Sequence, residues 1–196
     1  MTSTAHGNLD LWEERYSSTT CLHGRAPSRF LTESTGFLPP QGRCLDLAMG
    51  EGRNALFLAS RGYQVTGVDF SSVAVARARA WAAASGLALN AIVSDLEVDP
   101  LPKGPFDVVV VINYLQRNLF ARLVDILAPG GVLLYETLTV AVLAFHAHRR
   151  AYLLEPGELR AAFSGLEVLS YREADPAEPS RCVASLVARR PFEPTL

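Results

Sequence analysis

Short runs of β-branched residues alternate along this chain with Ala- and Leu-rich stretches, and that alternation constrains it to a parallel sheet flanked by helices. Residues 43–48 read as a first strand that ends in a glycine-bearing segment, 49–52; a helix then runs over about 53–61 and is closed by Gly62. QVTGVD at 64–69 reads as a second strand. Ser71 or Ser72 caps an Ala-rich helix that runs to about Ser85, with Gly86 ending it. A short third strand covers 89–93, and residues 97–105, with three prolines and a glycine, read as a loop. FDVVVVI at 106–112 is the most apolar strand and suits a sheet centre covered on both faces.

Beyond it the pattern predicts a helix over 115–127, a tight turn at Pro129-Gly130-Gly131, and a strand over 132–137. A helix over 156–163 is expected to carry Pro156 in its first turn. Residues 166–172 and 182–188 are strand-like and joined only by a Pro-rich loop, 174–180. No crossover helix fits in that gap, so the two strands are expected to pair antiparallel. The predicted fold is α/β: a doubly wound, Rossmann-like sheet of seven strands, mostly parallel, with a C-terminal antiparallel hairpin. Residues 1–36 are expected to form a helical lid or cap, and residues 37–196 the ligand-binding domain.

A chain of 196 residues suits one domain and buries enough apolar surface to fold without disulfides or metal. Three cysteines at wide spacings, Cys21, Cys44 and Cys182, make no C-x-x-C pair, so neither a disulfide framework nor a cysteine zinc site is indicated. Cys44 lies in an apolar run and reads as a buried small hydrophobe. A formal charge of −2 with scattered Lys and Arg argues against nucleic acid as the main partner. The polar residues 1–10 do not resemble a signal peptide, and no apolar run reaches the roughly 18 residues of a membrane span. We therefore expect a cytoplasmic protein that does not engage membranes, monomeric or a weak homodimer.

The chemistry concentrates in Leu45-Asp46-Leu47-Ala48-Met49-Gly50-Glu51-Gly52-Arg53-Asn54, at a strand-to-helix turn. Gly50 and Gly52 let the backbone turn sharply and approach a ligand where a Cβ would clash. In an open parallel sheet ligands bind outside the carboxyl ends of the strands, where this turn lies. Asp69 ends the second strand, 17 residues after Gly52, and a carboxylate there can accept both hydroxyls of a ribose. Asp95 and Leu96 follow the third strand; a polar group beside an apolar one suits the amine and face of an adenine ring. Gly50-x-Gly52-x-x-Ala55 also fits a dinucleotide fingerprint. Asp46, however, would repel a pyrophosphate held there, whereas it suits a ligand that carries an ammonium group.

The segment LDLAMGEGRNALFLASRGYQVTGVDFS resembles the first two motifs of class I S-adenosylmethionine-dependent methyltransferases, with Ala48 where many members carry glycine. WEERYSS, GEGRN and YLLEPGEL resemble more narrowly the small tellurite-resistance and thiopurine-type methyltransferases. The resemblance implies S-adenosyl-L-methionine as cofactor and S-adenosyl-L-homocysteine as product. It places Asp46, Ala48, Gly50, Gly52, Arg53, Asn54, Asp69, Phe70, Ser94, Asp95, Leu96 and Asn113 around the cofactor, with no metal.

The acceptor side is expected among Asn113 and Tyr114, after the fourth strand, and Trp12, Tyr16 and Arg29 of the N-terminal segment. That segment is read either as a mobile lid over the site or as fixed core. Residues 146–150, HAHRR, form a basic stretch that attracts anions, and a histidine pair alone makes a poor metal site. No Asn-Pro-Pro-Tyr-like run follows the fourth strand, so the expected acceptor is a small molecule with a soft or already ionised atom: sulfur, selenium, tellurium or similar. An RNA or protein methyltransferase and a non-catalytic adenosyl-ligand-binding protein are the alternatives.

Overall fold

The computed structural model describes residues 4–19, 21–173 and 182–192. The described residues up to 29 form one compact unit with residues 41–102, and residues 30–40 form a second with the described residues from 103 onward. Among the described residues seven strands make a mixed, mostly parallel α/β fold of the Rossmann-like kind.

In the first unit β1 (Arg43–Leu47), β2 (Gln64–Asp69) and β3 (Asn90–Val93) pair parallel in the order β3-β2-β1. Helix α1 (Thr4–Ser18) precedes β1, and the short helix α2 (Arg29–Glu33) belongs from Phe30 onward to the second unit. The crossovers are α3 (Arg53–Ser60) and α4 (Ser72–Ala84). Helix α3 starts at Gly52, left-handed at φ 83°, and the chain leaves it through Gly62, at φ 92°. Helix α4 starts at Ser71, whose Oγ accepts the Ala74 N–H at 3.1 Å. The alanine run in α4 leaves small side chains, Ala74, Ala78 and Ala82, on its buried face.

In the second unit β4 (Phe106–Ile112) pairs parallel with β5 (Leu127–Leu138). Strand β7 (Val183–Arg189) then pairs antiparallel with both β5 and β6 (Glu167–Arg172). Four consecutive valines of β4, Val108 to Val111, are at most 1% exposed, as the sequence pattern requires of an interior strand. The loop expected over 174–180 lies outside the described residues. Helix α5 (Phe120–Ile126) and helix α6 (Glu158–Ala162) complete the unit. Phe120 meets Tyr135 and Phe163 edge-to-face, and Tyr135 and Phe163 lie tilted to each other, with ring centroids 5.2–5.9 Å apart.

Three local expectations are corrected. The helix expected over 115–127 is shorter: a 3₁₀ turn (Arg117–Leu119) leads into α5. Pro129-Gly130-Gly131 is no turn but part of the twelve-residue β5. Gly130 N–H donates to Arg190 O, Arg190 N–H donates to Gly131 O, and the register against β4 shifts between Phe106 and Val108. Pairing with the chain beyond β7 thus overrides a composition that reads as a turn. Finally, Pro156 lies outside α6, whose N-cap is Gly157 in the left-handed region at φ 73°.

Candidate active site

The candidate site in the first unit is the carboxyl end of β1 and β2 with the loop leading into α3. Asp46 is 1% exposed; its carboxyl accepts the backbone N–H of Ala55, and Oδ2 meets no donor. Burial, reinforced by the charge of Asp69, pushes this carboxyl up to about 7. After β1 the chain enters the left-handed region at Ala48, φ 53°, and again at Gly50, φ 57°, and Gly52. A non-glycine residue there is strained by roughly 1–2 kcal/mol. Ala48 therefore adopts a glycine conformation without being one.

Asp69, 4% exposed, closes the loop against β2: Oδ2 accepts the Gly50 N–H at 2.8 Å and Oδ1 the Ser71 N–H at 3.0 Å. Its carboxyl is raised by burial against these lowering hydrogen bonds. Each carboxylate oxygen has a second lone-pair direction, so these bonds leave acceptor capacity for hydroxyls. The approach that Gly50 permits is taken by the Tyr16 hydroxyl, 2.8 Å from where a Cβ would stand; at Gly52 the neighbour is the Ala78 Cβ, at 3.0 Å. Burial, with Asp69 and Glu51 nearby, pushes the Tyr16 phenol well above its ordinary value.

The other residues expected around the cofactor fall into three groups. Arg53 and Asn54 of the GEGRN motif turn toward the N-terminal segment: Arg53 Nη1 donates to His23 O at 3.1 Å, and Asn54 Oδ1 accepts the Ser28 N–H at 2.8 Å. Phe70 is half-buried just after β2. Beyond β3, Ser94 Oγ donates to Asp99 Oδ2, Asp95 Oδ1 accepts the Glu97 N–H, and Leu96 is buried at 5% exposure. Asn113 belongs to the second unit, exposed at the end of β4, left-handed at φ 60°, its N–H donating to Glu136 O at 2.8 Å.

Of the acceptor-side candidates, Tyr16 is buried and stacks near Trp12, ring centroids 5.8 Å apart, while Trp12 also faces His23 and the Arg15 guanidinium. Burial lowers the His23 imidazole, and the Arg53 charge adds to this. Arg29 is exposed at the start of α2. In the second unit Tyr114 hydrogen-bonds Gln116, and its carbonyl accepts the Tyr135 hydroxyl at 3.0 Å, which fixes the chain after β4. Residues 146–150 are exposed, and the Arg150 guanidinium is paired with Glu155 at 2.8 Å.

Sequence reasoning missed Glu13, Glu51 and Arg77. Glu13 caps α4 from outside: its Oε2 accepts Ser71 Oγ at 2.9 Å and its Oε1 accepts the Ser72 N–H at 2.8 Å. Burial raises this carboxyl, yet these hydrogen bonds outweigh it and hold Glu13 below the usual range. Glu51 accepts the Leu22 N–H at 2.8 Å and pairs with Arg77 at 2.9 Å, and Arg77 also donates to Thr19 O at 2.6 Å. The only signal available was that WEERYSS and GEGRN both carry charges at fixed places; their partnership is tertiary. Among the described residues no group of His, Cys, Asp and Glu is placed to hold a metal, and no helix is long and apolar enough to cross a membrane.

A strand-to-helix loop turned by left-handed residues, a buried carboxyl beneath it and an acid ending the next strand make up the candidate site. Residues 44–131, which hold this loop and both acids, match the family described as methyltransferase domain. A demethylmenaquinone methyltransferase of Thermus thermophilus is 38% identical over 96 residues, 45% of this chain and 44% of that protein. A structure from work on the conversion of a disulfide bond into a thioacetal group during echinomycin biosynthesis is 25% identical. It aligns with TM-score 0.64 over 86% of this chain and 84% of its own. TehB from Haemophilus influenzae shares the fold, with TM-score 0.72 and 21% identity over 93% of this chain and 66% of its own. The chain spans less than half the length of the curated relatives it matches.

Proposed function

We propose that this chain transfers the methyl group of S-adenosylmethionine to a small molecule, at a soft or already ionised atom such as sulfur, selenium or tellurium. The observation that carries the cofactor half is Asp46 Oδ2, a buried acceptor with no donor, beneath the loop that the family uses for this ligand. A buried polar atom without a partner is costly, and the α-ammonium of S-adenosylmethionine is a donor of matching charge. Asp69 would accept the ribose hydroxyls. Asp95 and Leu96 would meet the adenine, and Gly50 and Gly52 would border the amino-acid end. Ala48, Arg53, Asn54, Phe70, Ser94 and Asn113 complete the proposed surround.

The cofactor supplies the methyl group on a sulfonium cation. The protein's part is to align the acceptor with the sulfur–methyl bond and to keep water out. A thiolate or chalcogen oxyanion needs little help from a base. That agrees with the lack of an Asn-Pro-Pro-Tyr-like run after β4, and with the sulfur chemistry named for one structural relative and the tellurite-type resemblance. Trp12, Tyr16, Arg29, Asn113 and Tyr114 are the proposed acceptor-side residues, with no metal required. We place the protein in the cytoplasm, as a monomer or weak homodimer.

Turnover of methyl-labelled S-adenosylmethionine against thiols, selenite, tellurite and bulk tRNA tests the reading. Label is expected in a thiol or chalcogen product. Label in tRNA would replace it with an RNA methyltransferase, and tight binding without any turnover with a ligand-binding protein.

A further inference from the structure

Asp46 stands where a negative charge is poorly supported. It is 1% exposed, its Oδ2 has no donor, and the donor its carboxyl does have is one backbone N–H, from Ala55. The charged groups facing it are Asp69 at the end of β2, which disfavours a second negative charge, and Arg53 at the start of α3. Arg53 reaches for the His23 carbonyl. The other acids of the site have partners elsewhere: Glu51 holds Leu22 N–H and Arg77, and Glu13 holds Ser71 and Ser72. A neutral carboxylic acid suits these surroundings better than a carboxylate, because an uncompensated buried charge beside a like charge is expensive. An incoming ammonium group reverses the preference, since a carboxylate then gains a charge-assisted hydrogen bond.

We propose that cofactor binding is proton-coupled: Asp46 carries a proton in the ligand-free protein and releases it to solvent when the ammonium of the adenosyl ligand arrives. The inference rests on the reading that this loop binds S-adenosylmethionine. In the exchange the O–H bond of the Asp46 carboxyl breaks, its electron pair stays on oxygen, and the proton passes to buffer. The carboxylate accepts an N–H from the ammonium, and nothing is oxidised or reduced. Affinity therefore falls as the solution is acidified, by up to about tenfold per pH unit once Asp46 is largely protonated. Asp46 then acts as the residue that selects for an amino-acid end on the adenosyl ligand.

Calorimetry with S-adenosylhomocysteine, in buffers of different ionisation enthalpy, counts the protons. Release of about half a proton at pH 7, rising toward one at pH 6, is expected for a carboxyl at about 7. Methylthioadenosine, which keeps the adenosine but lacks the ammonium, should release none. That separates Asp46 from Asp69, whose proposed ribose contact both ligands share. In Asp46→Asn the release should vanish, and the carboxylic-acid infrared band lost on binding should be absent. S-adenosylhomocysteine binding with the same heat in every buffer would overturn the proton coupling and leave the methyltransferase reading standing. Equal release by both ligands would assign the proton to another group and overturn it as well. Failure of S-adenosylhomocysteine to bind at all would remove the reading and this inference together.

Discussion

At the scale of single residues, the site combines two unfavourable features, a buried acid and a strained alanine, and each makes a prediction. The Asp46 carboxyl sits near 7 in the folded chain and near its ordinary value of about 3.9 when unfolded. A raised folded value contributes stability that is complete below the unfolded value and is lost as pH rises through the folded one. Melting of the ligand-free protein should therefore show a loss of stability between about pH 4 and pH 7 that comes from Asp46. Asp46→Asn should flatten that part of the profile, and an unchanged slope would mean that the carboxyl is already ionised at pH 6. Ala48, at φ 53°, should gain from glycine. Relief of roughly 1–2 kcal/mol of left-handed strain exceeds the greater chain entropy of glycine. Denaturant unfolding of Ala48→Gly should show up to about 1 kcal/mol of added stability. Asp69→Ala should weaken S-adenosylhomocysteine binding more than Asp95→Ala, since Asp69 is assigned two ribose hydroxyls at ~1.5–3 kcal/mol each and Asp95 one bond. Equal losses in folded variants would redistribute those roles.

At the scale of elements, the GEGRN motif divides its labour in a way its residue types do not announce. The backbone of Gly50 and Gly52 shapes the loop, while the side chains of Glu51, Arg53 and Asn54 hold residues 22, 23 and 28 of the N-terminal segment. Helix α1 adds Glu13 at the start of α4 and the Tyr16 hydroxyl at Gly50. These ties are polar and run to the cofactor loop itself. We propose that the segment is a lid whose opening is coupled to ligand binding. Hydrogen exchange should show protection between Asp10 and Phe30 rising with S-adenosylhomocysteine, while that of β4 barely changes. Equal protection with and without ligand would make the segment fixed core. The order of strands and crossovers was legible because period and punctuation agree: β2 and β4 fall on the predicted residues, and Ser71 caps α4 as its sequence suggests. The Pro129-Gly130-Gly131 segment was misread because nothing local reveals that Arg190 pairs with it.

For the whole molecule, a ligand that binds only the folded chain stabilises it by mass action. S-adenosylhomocysteine at a hundred times its Kd should add about 2.7 kcal/mol. For a chain of this length that raises Tm by roughly 5–11 °C. NAD should leave Tm unchanged, and a larger shift with NAD would return the loop to the dinucleotide reading. The sequence by itself determined the α/β class, the seven strands with their antiparallel ending, and the loop between β1 and α3. Apolar period, glycine and proline are local quantities that a single segment carries. Only the tertiary structure decided which side chains meet. It left Asp46 Oδ2 without a donor, set Glu13 on α4 across 58 residues of chain to Ser71, and tied Glu51 to Leu22 and Asn54 to Ser28. Burial and hydrogen-bond partnership depend on residues brought together by folding, and no window along the chain contains both partners.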